Sequence, residues 1–102
     1  MAKTMKARTL KSLQRELGKF VSVSNMEGRS GKVPNQFIIK YENGTIFQSY
    51  ESIIAVKCKG LYLTDKHDFS ATTSKYCLQF TNYTTKERKQ GLENGTIRKL
   101  IA

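Results

Sequence analysis

The sequence predicts a single α+β domain over residues 1–102, with an N-terminal amphipathic helix, an antiparallel meander of four to five strands, and a short C-terminal helix leading to a final strand. Three observations predict this class: leucines at helical spacing near the N-terminus, β-rich runs with short connections, and helical spacing again after residue 70. A small, partly open barrel is the alternative arrangement of the same strands. Residues 1–7 are expected to be flexible.

The first predicted element is an amphipathic helix from about Thr9 to Leu17. At about 100° per residue, its leucines fall within a sector of about 60°, and four basic residues fall within about 80° on the opposite side if the helix extends as far as residues 8 and 19. The leucines are Leu10, Leu13 and Leu17, and the basic residues are Arg8, Lys11, Arg15 and Lys19. Thr9 or Thr4 is suited to cap the start, and Gly18 is suited to end the helix in the left-handed conformation.

Five β-rich runs follow, and their short connections favour an antiparallel meander because parallel strands need long crossovers. The runs are Phe20–Ser24, Gln36–Tyr41, Thr45–Tyr50, Ser52–Cys58 and Leu61–Thr64. Between the first two runs, residues 25–35 contain two glycines and a proline. This composition predicts a mobile basic loop.

The pentapeptide ENGTI occurs twice, at Glu42–Ile46 and at Glu93–Ile97. At the first site Asn43-Gly44 lies between two β-rich runs, which predicts a hairpin with a type I′ turn. At the second site Asn94-Gly95 follows a helical pattern and is suited to close a helix. The flanking segments do not match, so we interpret ENGTI as one turn signal used twice rather than as an internal repeat.

The C-terminal part of the chain predicts two helical segments and a strand. After the polar, irregular stretch Asp65–Ser70, a short helix is expected to begin at Thr72 or Thr73 within TTSKYCLQF. A further turn or two of helix is expected over Thr85–Leu92, and the last strand over Thr96–Ile101.

The compartment is predicted from what the sequence lacks. No run approaches the roughly 18 apolar residues of a membrane span, and the N-terminus has no apolar signal segment, so we expect neither export nor contact with a membrane. Cys58 and Cys77 stand alone, which favours two free thiols in a reducing cytoplasm. The N-x-Thr patterns at Asn43, Asn82 and Asn94 are then expected to be accidental.

No motif predicts an enzyme, a metal site or a cofactor. The stretch GRSGK (Gly28–Lys32) has two residues between its glycines where a phosphate loop needs four, and valine follows its lysine. His67, the only histidine, lies between carboxylates in Asp65–Asp68 without a complete ligand set, so a solvated loop is expected. The eight acidic residues are scattered and no nucleophile motif occurs, so we expect a non-enzymatic protein with no catalytic residues.

Charge is the main indication of function. Eighteen Lys and Arg residues against eight acids give a formal net charge of +10, which favours a polyanionic partner: nucleic acid or an acidic host protein. The basic helix side could follow a phosphate backbone, although a solvated face opposite a leucine stripe looks the same in sequence. A second cluster near the C-terminus, with Arg98 and Lys99, would extend the patch if the two met in space. The expected binding residues are Arg8, Lys11, Arg15, Lys19, Arg29, Lys32, Lys86, Arg88 and Lys89.

Aromatic residues of the predicted strands offer a weaker indication. Aromatic rings on a sheet can stack on bases, but packing in the core is expected for most of them, and no RNA-binding sheet signature accompanies them. They are Phe37, Tyr41, Phe47, Tyr50 and Tyr62.

Three stretches together resemble a family of small proteins of unknown function encoded by tailed bacteriophages. They are GKFVSVSN (Gly18–Asn25), GKVPNQFIIKYENGTIFQSYESIIAVK (Gly31–Lys57) and YLTDKHDFSATTSKY (Tyr62–Tyr76). The likeness covers roughly residues 8 to 80 and carries no active-site residues. It implies a phage product that acts in the cytoplasm of an infected bacterium or is packaged in the virion.

Three functional hypotheses follow from charge and resemblance together. The first is an accessory protein that binds nucleic acid or a nucleoprotein complex, with the basic helix and tail as its contacts. The second is an inhibitor of a host defence or transcription protein, similar in kind to anti-CRISPR proteins, which would bind an acidic groove. The third is a small capsid-associated virion component. The oligomeric state stays open, although an exposed edge strand would permit a dimer.

Overall fold

The computed structural model describes residues 8–102 and shows three helices with a seven-stranded mixed sheet, so the predicted α+β class is confirmed. The predicted flexible segment 1–7 and the alternative cap Thr4 lie outside the described residues. The elements are β1 (Arg8–Thr9), α1 (Leu10–Leu17), β2 (Phe20–Gly28), β3 (Gly31–Tyr41), β4 (Gly44–Ser49), β5 (Ser52–Lys57), β6 (Leu61–Leu63), α2 (Ala71–Thr81), α3 (Thr85–Asn94) and β7 (Arg98–Ile101).

The sheet extends the predicted meander at one edge. Strands β2 to β6 are antiparallel neighbours in chain order, as the short connections predicted. The α2–α3 segment is long enough to serve as a crossover, so β7 joins β6 in parallel, and β1 pairs in parallel with β7. The order is β1-β7-β6-β5-β4-β3-β2, with β1 and β2 at the two edges, so the sheet is not closed by strand pairing.

The helices cover opposite faces of this sheet and create two cores. On the side that we call the α1 face, Leu13 and Leu17 pack with Ile46, Val56 and Leu100. On the other side, the α2–α3 face, the core contains Phe47, Ile54, Leu63, Cys77, Phe80 and Ile97. The two free thiols are therefore buried in separate cores, Cys58 on the α1 face and Cys77 opposite.

Local capping explains where the helices begin and end. The Thr9 hydroxyl accepts from the backbone N–H of Ser12 at 3.1 Å, as predicted, and Gly18 ends α1 with φ 81° and ψ −150°, outside the left-handed helical region. Helix α3 begins with a reciprocal capping box between Thr84 and Glu87. Gly95 closes α3 at φ 86° and ψ 0°, so the predicted role of the second ENGTI is confirmed.

The first ENGTI forms a hairpin, but the predicted type I′ turn is wrong. The two loop residues are Glu42 and Asn43, Gly44 already pairs with Tyr41, and none of residues 42–44 has a positive φ. The N–H groups of Glu42 and Asn43 instead donate to the carbonyls of Lys19 and Leu17, both at 2.9 Å. A Cβ on Gly44 would lie 2.4 Å from the Lys57 carbonyl oxygen and 2.5 Å from the Leu17 side chain, so this glycine allows close packing.

The predicted mobile loop over residues 25–35 is also wrong, because most of it belongs to strands. Gly28 pairs with Gly31 around a two-residue loop, and Glu27 pairs with Lys32. The next pair is Asn25 with Phe37, so Pro34 and its neighbours are accommodated in an irregular bulge of β3. Bulges tolerate proline and positive φ angles. The proline and glycines of this segment are therefore compatible with a bulged strand, although they predicted a loop.

Candidate nucleic-acid interface

The outer side of α1 carries exposed basic residues. Lys11 and Arg15 point away from the sheet because Leu13 and Leu17 are buried beneath the helix, and Lys19 is exposed just beyond its end. Within residues 8–102 none of the three basic residues makes an ion pair. We call Lys11, Arg15 and Lys19 the basic stripe; its positive charge is available to a partner.

Arg8 was predicted to belong to this stripe, but it lies in β1 and is half-buried. Its Nη2 is 2.7 Å from Glu16 Oε2 and donates to the Ser12 carbonyl at 3.2 Å, while its Nη1 donates to the Tyr62 hydroxyl at 3.3 Å. The hydrogen bond from Arg8 holds the pKa of the Glu16 carboxyl below its ordinary value. Arg8 therefore ties β1 to α1, and much of its charge is balanced.

Arg98 adds a second guanidinium to the same side of the sheet. Its Nη1 donates to the Tyr62 hydroxyl at 3.1 Å, and its Cζ lies 5.7 Å from the centre of the Tyr62 ring. Within the described residues Arg98 makes no ion pair. The sequence analysis grouped Arg98 with the C-terminal basic cluster. Because residues two apart in a strand lie on the same face, the position of Arg98 two residues before buried Leu100 is the signal that would have placed it on the α1 face.

The remaining C-terminal basic residues do not extend the stripe. Lys86 and Lys89 are exposed on α3, which packs on the opposite face of the sheet, and Lys89 Nζ is 3.5 Å from Asp68 Oδ2. Arg29 and Lys32 are exposed at the end of the β2–β3 hairpin. The predicted binding residues therefore occupy three separate parts of the surface, with one exception in the interior.

That exception is Arg88, which is 0% exposed and lies in a buried polar network. Its Nε donates to His67 Nδ1 at 3.0 Å, and its Nη1 donates to the Tyr83 carbonyl at 2.7 Å. Its Nη2 donates to the hydroxyls of Ser74 at 2.8 Å and Thr85 at 3.0 Å. Arg88 therefore connects α2 and α3 with the loop before α2 and with the loop between the two helices. Because it is buried, it is unavailable to a partner at the surface.

The same network corrects the expected setting of the only histidine. His67 is buried rather than solvated, and burial lowers its pKa below the ordinary value. Since its Nδ1 accepts the hydrogen bond from Arg88, the ring is neutral with its proton on Nε2. Nothing in the spacing of residues 65–68 indicated a buried partner 21 positions away.

An open depression of about 430 Å³ lies on the α1 face, over β2, β3 and β4. Phe20 is 57% exposed and meets Tyr41 edge to face, with the ring centres 6.0 Å apart. The depression is assigned to the α1 face because two of its lining residues, Ile39 and Tyr41, pack against the core beneath α1. We call this the aromatic depression; the residues that line it are Phe20, Val23, Phe37, Ile39, Tyr41 and Gln48.

The five strand aromatics divide between core and surface, so the prediction that most of them pack in the core is confirmed only in part. Phe47 and Tyr62 are buried, so core packing is confirmed for both. Phe37 and Tyr41 are half-buried at the aromatic depression, while Tyr50 is exposed in the β4–β5 turn with φ 55°. The sequence did not single out Phe20, although it assigned that residue to a strand.

Two further observations concern the described residues alone. Within residues 8–102 no group of three or more His, Cys, Asp or Glu side chains could hold a metal ion. None of the three helices in this part of the chain is long and apolar enough to cross a membrane.

Comparison with protein families gives one match. The family described as a family of unknown function (DUF8033) matches residues 21–94, and because this span covers more than half of the chain, the protein belongs to that family. Searches among curated proteins and among solved structures each found no match. The matched span runs from β2 to α3, so it includes most of the aromatic depression but neither α1 nor Arg98.

Proposed function

We propose that this protein is a non-enzymatic accessory protein that binds nucleic acid through its α1 face. The observation that carries the proposal is the basic stripe: three exposed cations on one side of the molecule, without ion-pair partners among the described residues. Contacts of this kind neutralise phosphates and release counterions, and they need no catalytic group. Its setting in an infected bacterium is part of the proposal and is supported by the resemblance to phage-encoded proteins.

The structure suggests a smaller contact set than charge alone did. Lys11, Arg15 and Lys19 provide the primary contacts, and Arg98 adds a guanidinium on the same face. Lys86 and Lys89 contribute only to the general positive field, because α3 lies on the other side of the sheet. Arg88 contributes to folding alone.

The test compares two double variants that change the net charge equally. Lys11→Glu with Arg15→Glu reverses the basic stripe, and Lys86→Glu with Lys89→Glu makes the same change on α3. Binding of a labelled oligonucleotide is measured by fluorescence anisotropy over a range of salt concentrations. We expect the first variant to lose binding and the salt dependence that goes with it, whereas the second retains most of the affinity.

Equal losses in the two variants would show that only overall charge matters and would overturn the assignment to α1. Retained affinity in the Lys11→Glu, Arg15→Glu variant would have the same consequence.

A pull-down split into nuclease-treated and untreated halves tests the alternative that the partner is a protein. One stoichiometric host protein that stays bound after nuclease would replace nucleic acid with an acidic protein partner.

A further inference from the structure

We infer that the nucleic acid is single-stranded and that its bases stack in the aromatic depression. This inference rests on the proposed function and adds the class of ligand. In a duplex the bases are paired and stacked on each other, so a basic surface meets mainly phosphates. A single strand can direct its bases to aromatic rings while its phosphates contact lysine and arginine.

The first argument is the exposure of the depression. Phe20 is 57% exposed and Val23 is 55% exposed, while helix α1 covers the other part of the same sheet face. The depression is open, with a volume of about 430 Å³, and its lining is mainly aromatic and aliphatic. The lining residues with a polar group are Gln48 and, through its hydroxyl, Tyr41. Flat apolar rings presented to solvent on a sheet are the surface on which bases stack.

The second argument is the position of charge around the depression. Lys19 ends the basic stripe and is followed directly by Phe20, so the cations lead to the rings without a break in the chain. None of the described residues that line the depression is acidic. The carboxylate of nearby Glu42 accepts a hydrogen bond from the backbone N–H of Lys19 at 2.9 Å, which holds it in place. A polyanion with apolar faces is the ligand that this combination fits.

The first measurement uses the absence of tryptophan from the chain. Phe20→Trp introduces a single indole at the rim of the depression, and its emission reports directly on stacking. We expect a thymidine oligonucleotide to quench this emission strongly. A duplex of the same length should bind through the basic stripe and quench it little.

The second measurement separates stacking from apolar contact. Removal of a stacking ring costs about 1–3 kcal/mol, so Phe20→Ala should weaken single-strand binding about 5- to 150-fold and leave duplex binding unchanged. Phe20→Leu keeps apolar volume without a π face and should behave like Phe20→Ala. The matched control is Phe69→Ala, which removes a ring that is 79% exposed in the loop before α2 and should change neither affinity.

The outcomes distinguish this inference from the proposed function. If Phe20→Leu binds the single strand as tightly as the wild type, or if single strand and duplex bind equally, the inference is overturned while binding by α1 stands. If neither nucleic acid binds at low salt, both are overturned. If the wild type self-associates in sedimentation and Phe20→Ala is monomeric, the depression is a contact between two copies, which also overturns stacking.

Discussion

The basic residues of α1 and the arginine of α3 lie in opposite settings on the two faces of the sheet. On the α1 face, Lys11 and Arg15 stand in solvent above a core of leucine, isoleucine and valine. On the α2–α3 face, Arg88 is fully buried among hydroxyls, carbonyls and His67, and within residues 8–102 it has no ion pair. The comparison teaches that its position in the helix decides whether a basic residue is exposed to solvent or buried in a polar network, since basic residues occur in both helices.

The largest expected effect is on the buried arginine. Arg88→Met removes the donors to the Tyr83 carbonyl and to both His67 acceptors, while Ser74 and Thr85 keep their mutual hydrogen bond at 2.9 Å. Leaving buried polar groups unpaired should lower the free energy of unfolding by about 3–5 kcal/mol, measured by urea denaturation. Lys89→Met, one residue on and exposed, is the control and should change stability by less than about 0.5 kcal/mol. A small loss in Arg88→Met would mean that the network contributes little.

The next effect compares one glycine from each face. Gly44→Ala places a methyl group 2.4 Å from the Lys57 carbonyl oxygen, which is backbone, so it should cost about 1–3 kcal/mol. In Gly91→Ala the near atoms all belong to the Ile97 side chain, with Cδ1 at 2.5 Å, Cγ1 at 2.6 Å and Cβ at 3.2 Å. The end of the Ile97 side chain can move, and alanine favours a helix over glycine by about 1 kcal/mol. The net loss of stability in Gly91→Ala should therefore be smaller than in Gly44→Ala. Equal unfolding midpoints for the two variants would contradict this account.

A third effect is a dependence of stability on pH near neutrality, which arises from His67 on the α2–α3 face. The pKa of His67 is lower in the folded protein than in the unfolded chain, mainly through burial, with Arg88 and Lys89 adding to the effect and Asp65 and Asp68 opposing it. The unfolded chain therefore binds more protons, so stability is complete above about pH 7 and falls as the pH drops through 6.5 toward the folded value.

Urea unfolding of the wild type at about pH 7.5 and about pH 5.5 measures this decrease, in a range where most carboxyl groups stay ionised. His67→Asn should lose most of the difference between the two conditions. A wild type that is equally stable at both pH values would show that the folded histidine titrates as it does in the unfolded chain.

The smallest effect on stability is expected on the α1 face. Lys11→Ala removes an exposed charge without a partner among the described residues, so the free energy of unfolding should change by less than about 0.5 kcal/mol. Binding to nucleic acid should weaken, and the slope of log affinity against log salt should decrease by about 1. An unchanged slope would remove Lys11 from the set of phosphate contacts.

The elements that the sequence predicted well are those with a local cause. Thr9 begins α1 and Gly95 ends α3 as predicted, and the five meander strands follow from β-rich runs with short connections. The first ENGTI failed because its turn is set by hydrogen bonds to α1, a tertiary contact that residue preferences do not contain. For the same reason sequence could not separate Arg88 from Lys89: both are basic residues of α3, and the burial of one and the exposure of the other follow from what lies beside them in three dimensions.

The pairing of β1 with β7 has a consequence for how the chain folds. Arg8 lies opposite Leu100, a separation of 92 positions (100 − 8), whereas the meander strands pair with their immediate neighbours in sequence. Closing so large a loop costs more chain entropy than forming a hairpin, so we expect the meander to assemble early and this edge late. On a ribosome the sheet stays incomplete until residues 98–101 have been synthesised and released.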